Sequence, residues 1–542
     1  MKGNAMKRIL CLLAAMAMVL ILLAGCRPPF IITDPGPGPY HYNHTVTFTT
    51  VRPLYSGVQL PDGWTLYSNP FNDYMKTEIN ASFIVNWEDS NYDNHLLMDL
   101  AANTMADVFY VPDYNMFMQL YQANVLADLQ DALNRYASQW LTDTYASYDQ
   151  AALFGPIIKN GQLLALPSTA NGYQQDMLWV RQDWLDTLGL PQPKTIDDIA
   201  STALAFMRAN PGGAAAPVGI NVNSAAIFGG YGSPYGLDPV ANAMGAYPGA
   251  WIKNADGQIV YGSIQPEFKQ VLAKVRGWVQ QGIVDPNCFT QSWTQIANNP
   301  IAGATGLWFS TYVAPDIHFI QTNPDAQLSV YAAPLNINGD GKSDYIGGNP
   351  LEGMLCVRKD YLNPDVVLRT FDVSQRMLTD PTYAGYEALQ PMRDSGIPWY
   401  VLAPLGQFAV HDDRAIITIG EQVKNYIDSG VLPPVGAESN RFIYSAKAWA
   451  DGSGSANNWV DWMTYYVAAP ETADPVFNKV TPAFFGQTPT MMYNWADLQD
   501  MEQTMIQNIL TGAADVNSFD VFVTAWKTEG GDAITAEVNS GQ

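Results

Sequence analysis

Short strand-like runs separated by helix-like stretches set the narrowest limit on what this chain can become. Residues 46–51 alternate Val, Phe and Thr, residues 81–87 end on Trp87, and residues 106–111 read Ala-Asp-Val-Phe-Tyr-Val. Helical stretches begin near Phe71 and His95, another covers 116–126, and Leu129, Leu133 and Tyr136 share one face of the next. Strands alternating with helices predict an α/β fold with a mainly parallel sheet. Further strands are expected at 161–167, closed by Pro167, and at 177–181, 306–309, 328–332 and 354–357. A long helix should open at Thr195, spaced with Asp198 as a capping-box pair. Another covers 263–282, where Phe268, Val271, Leu272, Val275 and Val279 recur at helical spacing before Gly282. Helices also follow at 366–377 and around Leu498, Met501, Met505 and Ile509.

The N-terminus has a different logic. Lys2, Lys7 and Arg8 precede an uninterrupted apolar run from Ile9 to Ala24, and Leu23-Ala-Gly-Cys26 follows at once. A charged start, a short apolar stretch and small residues at the cut describe a secretory signal over residues 1–25. The run is shorter than the roughly 20 residues a membrane-spanning helix needs, which weighs against an uncleaved anchor. The expectation is cleavage before Cys26, with the Cys26 thiol carrying a diacylglyceryl (palmitate-type) lipid. Residues 26–44, rich in Pro and Gly, read as a tether. No later stretch reaches 18 apolar residues.

About 500 residues then remain, too many for one core, so two or more lobes are expected. The net charge is −24, and loss of Lys2, Lys7 and Arg8 takes it to −27. Such a surface repels nucleic acid and anionic lipid. A hydrophobic content of 48% argues against disorder. Cys288 and Cys356 are the only cysteines in the body. They are expected to remain unbonded, Cys288 in the second lobe and Cys356 on a strand of the first. No CxxC, HExxH, GxSxG or Walker-type loop occurs, so no catalytic residue, metal site or cofactor is assigned. The run Asn336-Ile-Asn338-Gly-Asp340-Gly-Lys342-Ser-Asp344 imitates a calcium loop, but Gly347 stands where a bidentate Glu belongs; a polar surface turn is the reading.

Four stretches resemble one family. They are Leu23-Ala-Gly-Cys26; Gly161-Gln-Leu-Leu-Ala-Leu-Pro167 with the Trp-Val-Arg-Gln-Asp-Trp around Arg181; Gly303-Ala-Thr-Gly-Leu-Trp-Phe309; and the tail from Phe519 to Asn539. Spread over nearly the whole chain, they resemble the extracellular solute-binding lipoproteins of sugar-importing ABC transporters, in the large Gram-positive branch. The resemblance implies a two-lobe, type II periplasmic-binding-protein-like α/β fold, with solute held in a cleft between lobes joined by crossing strands. It implies crossovers near Pro167 and Phe309 and a third beyond Val357. That divides the body into 45–167 and 310–370 for the first lobe, and 168–309 and most of 371–542 for the second.

Sugar rings present apolar C–H faces that stack on aromatic rings, and hydroxyls that need amide and carboxylate partners. Trp87 and Glu88, and Tyr110 with Asp113 and Tyr114, follow strands, where open α/β sheets bind ligands. Tyr173 and Gln174 lie just past the first crossover. Trp251, Trp308, Tyr312 and Trp399 complete the aromatic candidates. Asn349 and Glu352 sit in a Gly-rich loop, where glycine lets backbone approach a ligand. A core position fits any single ring about as well, and an ordinary turn fits the loop. Arg181 reads as an ion-pair partner of Asp183 or Asp186. The Gly229-Gly230-Tyr231-Gly232 run reads as a flexible turn.

The leading expectation is therefore a non-enzymatic, monomeric binding protein. It would capture an oligosaccharide at the outer face of the cytoplasmic membrane and deliver it to ABC permease subunits. A membrane-anchored glycoside hydrolase using two carboxylates, and a sensor reporting to a membrane kinase, remain alternatives.

Overall fold

The computed structural model describes residues 41–434 and 438–540. The expected leader, Cys26 and most of the tether lie outside them. Among the described residues no helix is long and apolar enough to cross a membrane.

The first lobe is built on a five-stranded sheet. Val46–Pro53 pairs in parallel with Ala81–Asp89 and with Val108–Val111. Leu351–Val357 then runs antiparallel between Val108–Val111 and Leu166–Thr169. The alternation read at 46–51 is the pleat itself: Val46 and Phe48 are buried while Thr47 is exposed. Pro167 does not close its strand but lies within it, at the sheet edge, where its missing N–H costs no ladder bond.

The second lobe centres on Met177–Arg181, flanked on both sides by antiparallel partners, Leu307–Ser310 and Leu328–Tyr331. The expectation of a mainly parallel sheet fails here and at Leu351–Val357. In both places a strand arriving from the lobe junction runs opposite to its neighbours. The two faces of this sheet serve two cores, with period two along the strands. Leu178, Val180, Leu307 and Phe309 face a core shared with helices Pro266–Gln280 and Met491–Thr511. Met177, Trp179, Trp308 and Val330 face a core closed by Ala415–Ser429, Ile443–Ala450 and Ala456–Asp461.

Local chemistry agrees with the elements it predicted. Thr195 and Asp198 form a reciprocal capping box on Ile196–Ala209. Phe268, Val271, Leu272 and Val275 are the buried stripe of Pro266–Gln280, and Gly282 adopts φ +74° just beyond it. Arg181 makes a two-pronged contact with Asp183, Nε–Oδ1 2.8 Å and Nη2–Oδ2 2.6 Å. Cys288 and Cys356 are free and buried, in the second-lobe and first-lobe cores respectively.

Three segments cross between the lobes side by side. Thr169 N–H donates to the Ala409 carbonyl (3.1 Å), Ala170 N–H to Pro350 O (3.1 Å), and His411 N–H to Thr169 Oγ1 (2.7 Å). The Tyr148 hydroxyl lies 2.7 Å from both Ala170 O and His411 O, tying a first-lobe loop to two of the crossings. The crossover expected near Phe309 is corrected: Phe309 is fully buried on a second-lobe strand, and the return falls at 347–350. The boundaries at 310 and 370 move accordingly. Tyr312, Phe319 and Val330 pack in the second lobe, whereas Phe371 through Val410 pack in the first, so the last crossing is at 409–413.

Candidate functional site

At this junction the first lobe presents the ends of its strands. Arg52, which follows the buried run of Val46–Pro53, donates to the Val401 carbonyl (2.5 Å) and pairs with Glu88 at 3.4 Å. Burial lowers the pKa of its guanidinium and Glu88 raises it. Arg52, Tyr55, Tyr110 and Tyr400 line one recess of this face. The Tyr55 and Tyr400 rings lie 5.3 Å apart. Gly353 permits Tyr110 to sit there, because a Cβ at Gly353 would overlap the Tyr110 hydroxyl. Glu352, exposed on the next strand, lies within electrostatic reach of Tyr110 and Tyr148.

On the second-lobe side of the crossings a pocket of about 360 Å³ is lined by Tyr231, Trp251, Asn349, Phe485, Gln499 and Glu502. A compartment of about 90 Å³ shares Tyr231, Asn349 and Phe485 and adds Tyr148, Asp413 and Lys479. Tyr231 is the centrepiece. Its hydroxyl accepts the Gln174 N–H at 2.5 Å. Its ring lies so close to Gly348 that any Cβ there would overlap it. Gly348→Ala should therefore displace the Tyr231 ring and weaken ligand binding while the melting temperature changes little; unchanged affinity would count against Tyr231 as a wall of the site. Desolvation pushes the phenols of Tyr110, Tyr148 and Tyr231 above their ordinary value. They remain neutral hydroxyls, able both to donate and to accept. Lys479 faces Asp413 at 3.9 Å, so it and Arg52 each meet a carboxylate.

The sequence candidates divide. Tyr173, Gln174, Asn349, Glu88 and Glu352 come together around the junction. Tyr173 adopts φ +58°, a costly conformation for a non-glycine residue, with its ring 5.8 Å from both Lys479 Nζ and Arg414 Cζ. Trp87 turns instead toward its own helix, stacked on His95 at 4.0 Å and donating to Asp99. Asp113 caps Tyr114–Gln122, and Tyr114 donates to Pro156 O and accepts from Lys159. Trp308 and Tyr312 are core residues, 3% and 6% exposed. Trp251 is held in a ring cluster with Tyr261, Phe484, Trp495 and Trp526. Trp399 packs edge-on behind Tyr400. Arg52, Tyr55, Tyr148, Tyr231 and Tyr400, which line these recesses, were not among the sequence candidates. Only Tyr231 carried a signal, its flanking glycines, and these were read as a flexible turn. The 336–344 segment is a hydrogen-bonded turn in which the Asn336 amide donates to Asp340 and Asp344.

Two α/β lobes, three crossing segments and a polar, tyrosine-lined cleft between them define a binding protein of the type II class. Residues 65–351 match the family model described as bacterial extracellular solute-binding protein, and the chain belongs to that family. The fructooligosaccharide ABC transporter substrate-binding protein FusA of Streptococcus pneumoniae serotype 4 is 26% identical over 161 residues. The aligned part spans 29% of this chain and 29% of that relative. Among solved structures, an HMO-binding, ABC-transporter-associated solute-binding protein from Bifidobacterium longum infantis superposes with a TM-score of 0.60 at 14% identity, covering 92% of this chain and 98% of that one. FusA of S. pneumoniae in complex with kestose gives 0.58 at 13%, covering 91% and 98%. These likenesses establish the shared fold.

Proposed function

We propose that the chain captures an uncharged oligosaccharide outside the cell and hands it to the permease subunits of an ABC transporter. The observation that carries this reading is the cleft itself. Neutral phenols and carboxylates from both lobes converge where three segments cross, and Arg52 and Lys479 face carboxylates instead of standing free for an anion. A solute touching both walls would shift the lobes toward closure, because only differential contact moves such an equilibrium. Fructooligosaccharide, named for the partial relative, is a ligand of the same class. Tyr173, Gln174, Glu88, Asn349 and Glu352 are the sequence-derived residues we place at the site, with Tyr110, Tyr148 and Tyr231.

The test is titration with neutral oligosaccharides, followed by tryptophan fluorescence and small-angle scattering. Saturable binding with a smaller radius of gyration is expected. Binding without compaction would reject closure, and steady release of shortened sugars would make the protein a glycoside hydrolase.

The N-terminal chemistry supports a chain tethered by lipid on Cys26 to the outer face of the cytoplasmic membrane. Cys26→Ala should accumulate as an unprocessed precursor that takes up no labelled palmitate. Normal processing and labelling of that variant would remove the anchor from the scheme.

A further inference from the structure

Behind Tyr231 lies a further and much smaller cavity with about 10 Å³ of free volume, room for about one water-sized sphere. Gln175, Asp176, Asp238 and Asn242 all line it. They are 1%, 6%, 3% and 3% exposed. Each contributes one buried oxygen with no hydrogen-bond partner among the described residues: Gln175 Oε1, Asp176 Oδ1, Asp238 Oδ2 and Asn242 Oδ1. The Gln175 amide nitrogen donates to Thr472 O at 2.8 Å, which leaves Oε1 as the unpaired end. Asp238 Oδ1 already accepts the Gly230 N–H at 3.1 Å. Asp344 also lines the cavity, but its carboxylate is engaged by Tyr247, Asn336 and Asn478. Tyr231 and Tyr345 are the other titratable groups on the wall, and among the described residues no Lys, Arg or His lines it.

Two buried carboxylates without a countercharge are expensive, and unpaired acceptors beside them add to the cost. Four acceptors need something that donates or is positive, and a single sphere is all the space admits. We infer that this cavity is a calcium site, with Asp176, Asp238, Gln175 and Asn242 as its side-chain oxygen ligands. An all-oxygen set with two carboxylates balances a divalent charge and suits a hard cation. It offers no nitrogen or sulfur for zinc or copper. Magnesium, which keeps several of its waters, does not suit so small a space.

The site's position gives it a consequence. It joins the segment entering Met177–Arg181 to helix Asp238–Ala243 and to the 229–232 loop that carries Tyr231. The bound ion would hold Tyr231 in place from behind.

The experiment is elemental analysis and thermal unfolding of the purified protein, before and after exhaustive chelation and with calcium chloride restored. The expected result is one calcium per chain. Chelation should lower the melting temperature, and added calcium should reverse it. Asp238→Asn should abolish calcium retention. Asp340→Ala, in the 336–344 turn, should keep both the metal and the chelator response. A protein that retains no calcium and melts identically with and without chelator would overturn the inference and leave a shared proton between Asp176 and Asp238. Loss of calcium in Asp340→Ala but not in Asp238→Asn would overturn it in favour of the turn. Sugar affinity plays no part in these readings, so they stand apart from the proposed function.

Discussion

Trp308→Ala is expected to destabilise the second lobe by about 3–5 kcal/mol, the usual cost of deleting a large buried aromatic side chain. Trp308 is 3% exposed, stacked parallel to Trp179 with centroids 6.4 Å apart, and packed against Phe319. The cavity left by alanine would sit between the central sheet and the helices of residues 415–461, where rigid strands on one side limit collapse. Denaturant unfolding should show a lower midpoint. At low denaturant the folded fraction should bind ligand with nearly unchanged affinity. Trp308→Phe keeps an aromatic ring and gives up only part of the indole's volume, together with an N–H that has no partner among the described residues, so its cost should be smaller. A Trp308→Ala protein of normal stability but without affinity would instead return Trp308 to the ligand site.

Tyr231→Ala should do the reverse, lowering affinity about tenfold to hundredfold while the fold persists. A stacked ring that buries C–H surface contributes roughly 1–3 kcal/mol, which corresponds to that range of Kd. The hydroxyl also accepts the Gln174 N–H, so Tyr231→Phe should lose part of the affinity by leaving that N–H without its acceptor. Isothermal titration with the best neutral oligosaccharide separates the cases. Equal affinities for Tyr231→Ala and the unaltered protein would move the binding face to the first-lobe recess of Arg52, Tyr55 and Tyr400.

The contrast between these two rings shows why site residues were only partly legible. Trp308 lies in an expected strand and Tyr231 in a Gly-rich run read as a turn, and neither local context says which ring faces the cleft. What separates them is which face of a strand is covered, and by what. The helices of 415–461 lie more than a hundred residues from Trp308 in sequence, and they bury it. Gly348 lies more than a hundred residues from Tyr231, and its missing side chain lets that ring cross the hinge. Trp87 and Glu88 are adjacent, yet strand alternation sends Trp87 to helix Tyr92–Ala102 and Glu88 to Arg52. Period two was readable; which of the two faces became the cleft was not.

The crossings follow the same rule. Met177–Arg181 was found to the residue, and the α/β class followed from alternating periods, because both rest on neighbours within a few positions. The returns at 347–350 and 409–413 rest on bonds such as Ala170 to Pro350 and Thr169 to Ala409, between segments far apart in the chain.

By itself, then, the sequence determined what depends on local backbone preference and short-range burial: many of the strands and helices, the capping box at Thr195, an ion pair of Arg181 with Asp183 or Asp186, and the polar turn at 336–344. It also carried enough ordered motif to point to the binding-protein family. Only the tertiary structure decided which aromatics are core and which are wall, where the chain changes lobes, and that Asp176 and Asp238 share one buried cavity. Those outcomes depend on which distant surfaces meet, and on the desolvation and close packing that begin only when they do.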